Sequence, residues 1–240
     1  MVEQSKRNLI KFSAGLFAGG ALLAQSGPLR AQVESIAQSE SGLISGTIKP
    51  LGYKSIQGLL SAEQLAPHHT GHYGGALKGY LDLDRQLESM AISETSVRVE
   101  TYGAMQRSRA SKGNSVLLHE IYFESMTTRG QTPAPGLRNA IEERFGSKDK
   151  WATDFIATAN AAAGWAVLAR SLLNGKLYNL VCGEHAEGLL WMATPLIALD
   201  VYEHAYYVDY QNRKADYVAA FMEHIDWTSA EVRYAASETK

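Results

Sequence analysis

The spacing of apolar and polar positions divides the chain into a helical first half and a mixed second half. From Pro67 to Met90, Leu77, Tyr80, Leu81, Asp84, Leu87 and Glu88 fall at three- and four-residue steps, the period of one helical face. A second helical stretch over 93–128 ends in the run Val116-Leu117-Leu118-His119-Glu120-Ile121-Tyr122-Phe123. Gly130, Pro133, Pro135 and Gly136 then make the clearest break in the chain. Beyond it, Leu137–Phe145 and Lys148–Ala163 read as helices. Residues 164–169 and 176–182 read as strands joined at the turn signal Asn174-Gly175. Pro195–Leu199 reads as a third, buried strand that delivers Asp200 at its end, and 213–225 as a closing helix. The predicted fold class is α+β, with a helical domain over 61–132 and an α/β domain over 133–240. Residues 32–60, rich in Ser, Gly and Gln, read as a linker and an extended lead-in.

Composition narrows the classes. The 240 residues suffice for one or two domains with a sizeable core. A net charge of −2 argues against bulk nucleic-acid binding. Cys182 is the single cysteine, so a monomer has no disulfide and a thiolate-rich metal site is excluded.

The N-terminus reads as an export signal over 1–31. Ser5-Lys6-Arg7-Asn8-Leu9-Ile10-Lys11 resembles the twin-arginine consensus with lysine in the first arginine position. The weakly apolar Phe12–Ala24 stretch that follows is too short and mild for a confident membrane span. Ala24 and Ala31 both end plausible cleavage sites. The expectation is a periplasmic or otherwise exported protein, with no membrane attachment after signal removal.

The chemistry concentrates in Asp200-Val201-Tyr202-Glu203-His204-Ala205-Tyr206-Tyr207. A carboxylate and an imidazole four residues apart can close on one ion, and an Asp/His set suits manganese or iron better than a thiolate-preferring metal. This run resembles the D-x-W-E-H-A-Y-Y signature of the iron/manganese superoxide dismutases, with Tyr202 in place of tryptophan. The resemblance covers roughly 50–230. It implies a helical hairpin followed by a small three-stranded antiparallel sheet flanked by helices. It also implies one iron or manganese ion held by three histidines and an aspartate, and dismutation of superoxide.

On the second helix, His119-Glu120-Ile121-Tyr122-Phe123 resembles the family's H-x-x-[FY]-[YW] stretch and makes His119 a ligand. The first helix offers His68 and His72. Aligning His72-Tyr73 through Lys78-Gly79-Tyr80 with the family's H-Y-G-K-H-H-x-x-Y makes His72 the ligand and Tyr80 the gateway tyrosine. The separation from His119 favours His72. So does Pro67, which a ligand at 68 would place in mid-helix, at about 3 kcal/mol, whereas a ligand at 72 leaves it in the first turn. The expected ligand set is therefore His72, His119, Asp200 and His204, with His68 as the rival.

Further roles follow from the resemblance alone. Trp165, Phe123 and Tyr202 would wall the site, His185 would hydrogen-bond the metal-bound solvent, and Tyr80 and His185 would relay protons. Lys214 would keep a positive charge near the substrate funnel. Glu203 and Tyr207 would reach across a homodimer or tetramer interface, although on this alignment Ala76 replaces the histidine that pairs with the tyrosine. These departures leave an alternative open: a dismutase-like, extracytoplasmic metal-binding protein without dismutase activity.

Overall fold

The computed structural model describes residues 40–93 and 99–238. The predicted export signal lies outside them. In chain order the elements are α1 (Gly42–Ser45), α2 (Ala62–Pro67), a π-helical segment π1 (His68–Tyr73), α3 (Gly74–Ser93), α4 (Val99–Glu124), α5 (Pro135–Phe145), α6 (Lys148–Ala161), β1 (Trp165–Ser171), β2 (Leu177–Cys182), β3 (Ala193–Asp200), α7 (Glu203–Tyr210), α8 (Lys214–Glu223) and α9 (Trp227–Glu238). The fold is α+β. A helical hairpin, α3 against α4, precedes an antiparallel sheet of order β2-β1-β3 flanked by helices.

Most boundaries have a local cause. Ser61 caps α2 by accepting the backbone N–H of Gln64, the S-x-x-Q arrangement. Ser147 caps α6 in the same way. Pro135 opens α5, where its missing N–H is not needed, and Gly146 closes it at φ 88°. The turn after β1 uses Gly175 at φ 71°.

Pro67 stands inside a helix after all. It cannot donate to the preceding turn. The chain accommodates this by leaving α-helical bonding: His68 N–H donates to the Leu65 carbonyl, and the six residues His68–Tyr73 form the wider π1 turn. Regular α-helix resumes at Gly74.

In the sheet, β1 is central and wholly apolar on both faces over Trp165–Ala169. Its first residue, Trp165, faces Cys182 of β2 and Asp200 of β3. The ladder to β3 slips between Leu168 and Ala169, opposite Pro195. Proline has no N–H to give the ladder and is tolerated because β3 is an edge strand.

Two parts of the fold differ from the sequence reading. From Gly42 onward the expected linker is packed: Glu120 Oε1 on α4 accepts Gly42 N–H at 2.8 Å, and Ile56, Leu59 and Leu60 join the core. The chain also continues past the predicted closing helix. A turn at His224–Asp226 separates α8 from α9, and it is pinned to the end of α4, where Thr127 N–H donates to His224 O and Asp226 N–H to Ser125 O.

Candidate metal centre

Four side chains from separate elements meet at one carboxylate oxygen. Asp200 Oδ2, at the end of β3, lies 3.2 Å from His68 Nε2, 3.3 Å from His204 Nε2 and 3.7 Å from His119 Nε2. One ligand atom from each of the four lies within 4.8 Å of all the others. Asp200, His68 and His119 are buried, and His204 is partly covered.

Hydrogen bonds orient three of the four. Asp200 Oδ1 accepts the N–H of Tyr202, which turns the strand end into α7 and leaves Oδ2 facing the histidines. Tyr217 Oη donates to the Asp200 carbonyl at 2.9 Å and is itself bonded to Tyr122 Oη. On α4, His119 Nδ1 donates to the Ser115 carbonyl one turn back at 2.7 Å. That bond places the proton on Nδ1 and leaves the Nε2 lone pair facing Asp200. His204 is fixed through its backbone: Gln64 Nε2 donates to the His204 carbonyl at 2.6 Å, and Gln64 Oε1 accepts Val208 N–H.

Electrostatics keep the cluster ready for a cation. Burial alone would raise the Asp200 pKa. The adjacent imidazole of His204, 3.3 Å away, the bond to His68, and the nearby ring of His119 overcome it and hold the carboxyl well below its usual range. Burial lowers the His119 pKa to about 3, against the opposing pull of Asp200, so its ring stays neutral.

The residues fit a metal ion. His119 Nε2 and His204 Nε2 are buried without a hydrogen-bond partner. Leaving such atoms unsatisfied costs about 1–3 kcal/mol each, and a cation between them and Asp200 Oδ2 removes that penalty. Three imidazole nitrogens and one carboxylate oxygen form a donor set for iron, manganese or another borderline ion.

The arrangement corrects the assignment on the first helix. His68, not His72, joins the cluster. His72 is exposed and lies flat on the outer face of His204, with ring centroids 3.7 Å apart and planes 7° from parallel. The proline argument failed because Pro67 is followed by the π1 turn, which brings His68 inward with no straight helix through residue 67. Tyr80 moves with the same correction. Its ring packs on Gly113, six residues and about 9 Å of helix before His119. Eight positions after His68 stands Ala76, so the gateway tyrosine implied by the resemblance is absent there.

Aromatic rings enclose the rest. Phe123 and Tyr122 lie 5.2 Å from the His68 ring, Trp165 5.1 Å from His119, and Tyr202 is stacked on His204 at 5.3 Å. His185 touches Trp165, Tyr202 and His119. Its Nδ1 accepts Trp165 Nε1–H at 3.0 Å, which places the neutral ring's own proton on Nε2. Lys214 has a structural contact of its own. Its Nζ donates to the Ala162 carbonyl at 2.7 Å, closing the C-terminus of α6. Gln64 escaped sequence reasoning altogether, since only its S-x-x-Q spacing was visible.

Residues 133–233 match the family model described as iron/manganese superoxide dismutases, C-terminal domain. The chain is 36% identical over 195 residues to an iron superoxide dismutase of Cupriavidus metallidurans, covering 79% of this chain and 96% of that one. It is 33% identical over 186 residues to a manganese superoxide dismutase of Haloferax volcanii, covering 77% and 92%. The iron superoxide dismutase of Aquifex pyrophilus is 32% identical over 179 residues, covering 73% and 84%. The chain belongs to the iron/manganese superoxide dismutase family.

Proposed function

We propose that this chain disproportionates superoxide at one iron or manganese ion held by His68, His119, Asp200 and His204. The observation that carries the reading is the convergence of three Nε2 atoms on Asp200 Oδ2 in a buried, aromatic-walled pocket. Family membership supports it. When bound, the ion supplies one-electron chemistry, alternating between its trivalent and divalent states so that one superoxide leaves as dioxygen and a second, with two protons, as hydrogen peroxide.

The protein's part is to hold four donors in one geometry and to keep water limited. The Asp200 carboxylate neutralises part of the ion's charge. The bond His119 makes to the Ser115 carbonyl and those from Gln64 and Tyr217 would hold the donors in one geometry as the ion's charge changes. His185, with its proton on Nε2, is the group we assign to proton donation beside the centre.

We further propose that the protein is exported on the Lys6-Arg7 signal and works as a homodimer or tetramer through Glu203 and Tyr207. Both side chains are exposed at the α7 surface, as an interface residue is before its partner arrives. Placing the ligand at 68 also supports this. The position four residues on, implied by the resemblance to pair with the tyrosine of the partner, becomes His72 in place of Ala76.

Metal analysis and inhibition of superoxide-dependent cytochrome reduction, measured on one preparation, test the activity. About one iron or manganese per chain with inhibition is expected. Stoichiometric metal without inhibition overturns the dismutase reading and leaves the metal site standing.

A further inference from the structure

We propose that the end of the sheet remote from the metal centre is a docking surface for anionic lipid headgroups. The β1–β2 turn and the residues leading into β3 lie side by side there, because Leu172 N–H donates to the Met192 carbonyl and Ser171 pairs with Ala193. Three large apolar side chains project from these two segments. Leu173 at the tip of the turn is 76% exposed, Trp191 92% and Met192 54%. A tryptophan left almost wholly in water beside two aliphatic neighbours is unusual in a solitary soluble domain.

Cations flank the same end. Lys176 is exposed on the turn, and Arg144 and Arg170 line a cleft of about 520 Å³ beside it. Arg144 spends Nε on the Leu177 carbonyl, and Arg170 spends one terminal nitrogen on the Ser237 carbonyl. Their guanidiniums lie against the Tyr178 and Tyr234 rings. Arg170 Nε is buried with no partner. Among the described residues none of the three cations forms an ion pair, although Glu143 lies on the rim of the cleft.

This combination selects the occupant. Two copies meeting through the same patch would bring like charges together. An anionic bilayer accepts both features: the side chains project outward as convex knobs able to enter the headgroup region, and the cations meet lipid phosphates. No described helix is long and apolar enough to cross a membrane, so the contact is peripheral. Five residues of extended strand, about 17 Å, separate Arg170 from Trp165 at the metal centre, so docking leaves the centre open. The sequence reading expected no membrane attachment after signal removal, and this surface departs from that expectation.

Co-sedimentation of the metal-loaded protein with vesicles tests this, comparing phosphatidylglycerol with phosphatidylcholine at low and high salt. Binding to the anionic vesicles alone, lost at high salt, is expected. A Leu173→Ser/Trp191→Ser variant should lose it while keeping its metal and dismutase activity. Lys176→Glu should weaken partitioning about fivefold or more. Equal binding to neutral vesicles, or unchanged binding by the double variant, overturns the proposal. So does a loss of self-association in that variant when the wild-type protein ignores both vesicle types, an outcome that assigns the patch to a second copy.

Discussion

Gln64 grips His204 through the backbone: its amide nitrogen donates to the His204 carbonyl at 2.6 Å, and its amide oxygen accepts Val208 N–H at 3.0 Å. The two residues are 140 positions apart, and this clamp joins α2 to α7. It sets where two of the four donors stand relative to each other. Gln64→Leu should therefore lower stability by about 2–3 kcal/mol and the thermal midpoint by roughly 5–10 °C. Gln64→Glu, which sets a carboxylate oxygen against the His204 carbonyl, should cost at least as much. Calorimetry with metal analysis checks both.

The two candidate histidines of π1 separate cleanly by substitution. His68→Ala should abolish stoichiometric metal. His72→Ala should retain metal, because His72 covers the His204 ring and contributes no nitrogen to the cluster. Plasma emission analysis of both purified variants decides. Metal loss in His72→Ala alone would restore the assignment favoured by the sequence.

Removing the ion should destabilise the folded chain. With free metal at about a thousand times the dissociation constant, linkage predicts about 4 kcal/mol and a thermal midpoint higher by roughly 10 °C. The gain should vanish in His68→Ala. Scanning calorimetry before and after chelation measures it.

Asp226 provides a pH test away from the metal. Burial raises its pKa in the folded chain, against the bonds from Ser229 and the charge of Arg233. A carboxyl with a raised folded pKa binds more protons folded than unfolded. Its stabilising share is present below the unfolded pKa and is lost as pH rises through the folded value. Asp226→Asn keeps the acceptor for Ser229 N–H but does not ionise. Urea denaturation should show the variant gaining on the wild-type chain between pH 4 and pH 7; a gap independent of pH would contradict this.

Sedimentation equilibrium tests the proposed assembly. The wild-type chain should run as a dimer or tetramer. Glu203→Ala with Tyr207→Ala should shift it toward smaller species, with an unchanged circular dichroism spectrum.

Much of this was legible in the residues because it is local. The D-x-x-x-H run at 200–204, His119 within an apolar stretch and the Asn174-Gly175 turn each carry their own signal. The structure gathers Asp200, His119 and His204 as that reading expected. His68 was not legible as the better candidate. A penalty for proline in an α-helix is a sound rule, and the chain met it by forming a π turn, an option with no sequence signature. Gln64 was invisible because its partners lie on α7, and the packing of 42–60 because it depends on Glu120. The split between α8 and α9 was missed because the turn at His224–Asp226 is held by Ser125 and Thr127, from a distant part of the chain.

Asp200 and His68 touch across 132 positions, and His119 lies on a third element between them. No short stretch of chain holds more than half the donors, so an unfinished fold has no centre to fill. Metal capture is thus a late event, after the sheet has closed on the hairpin.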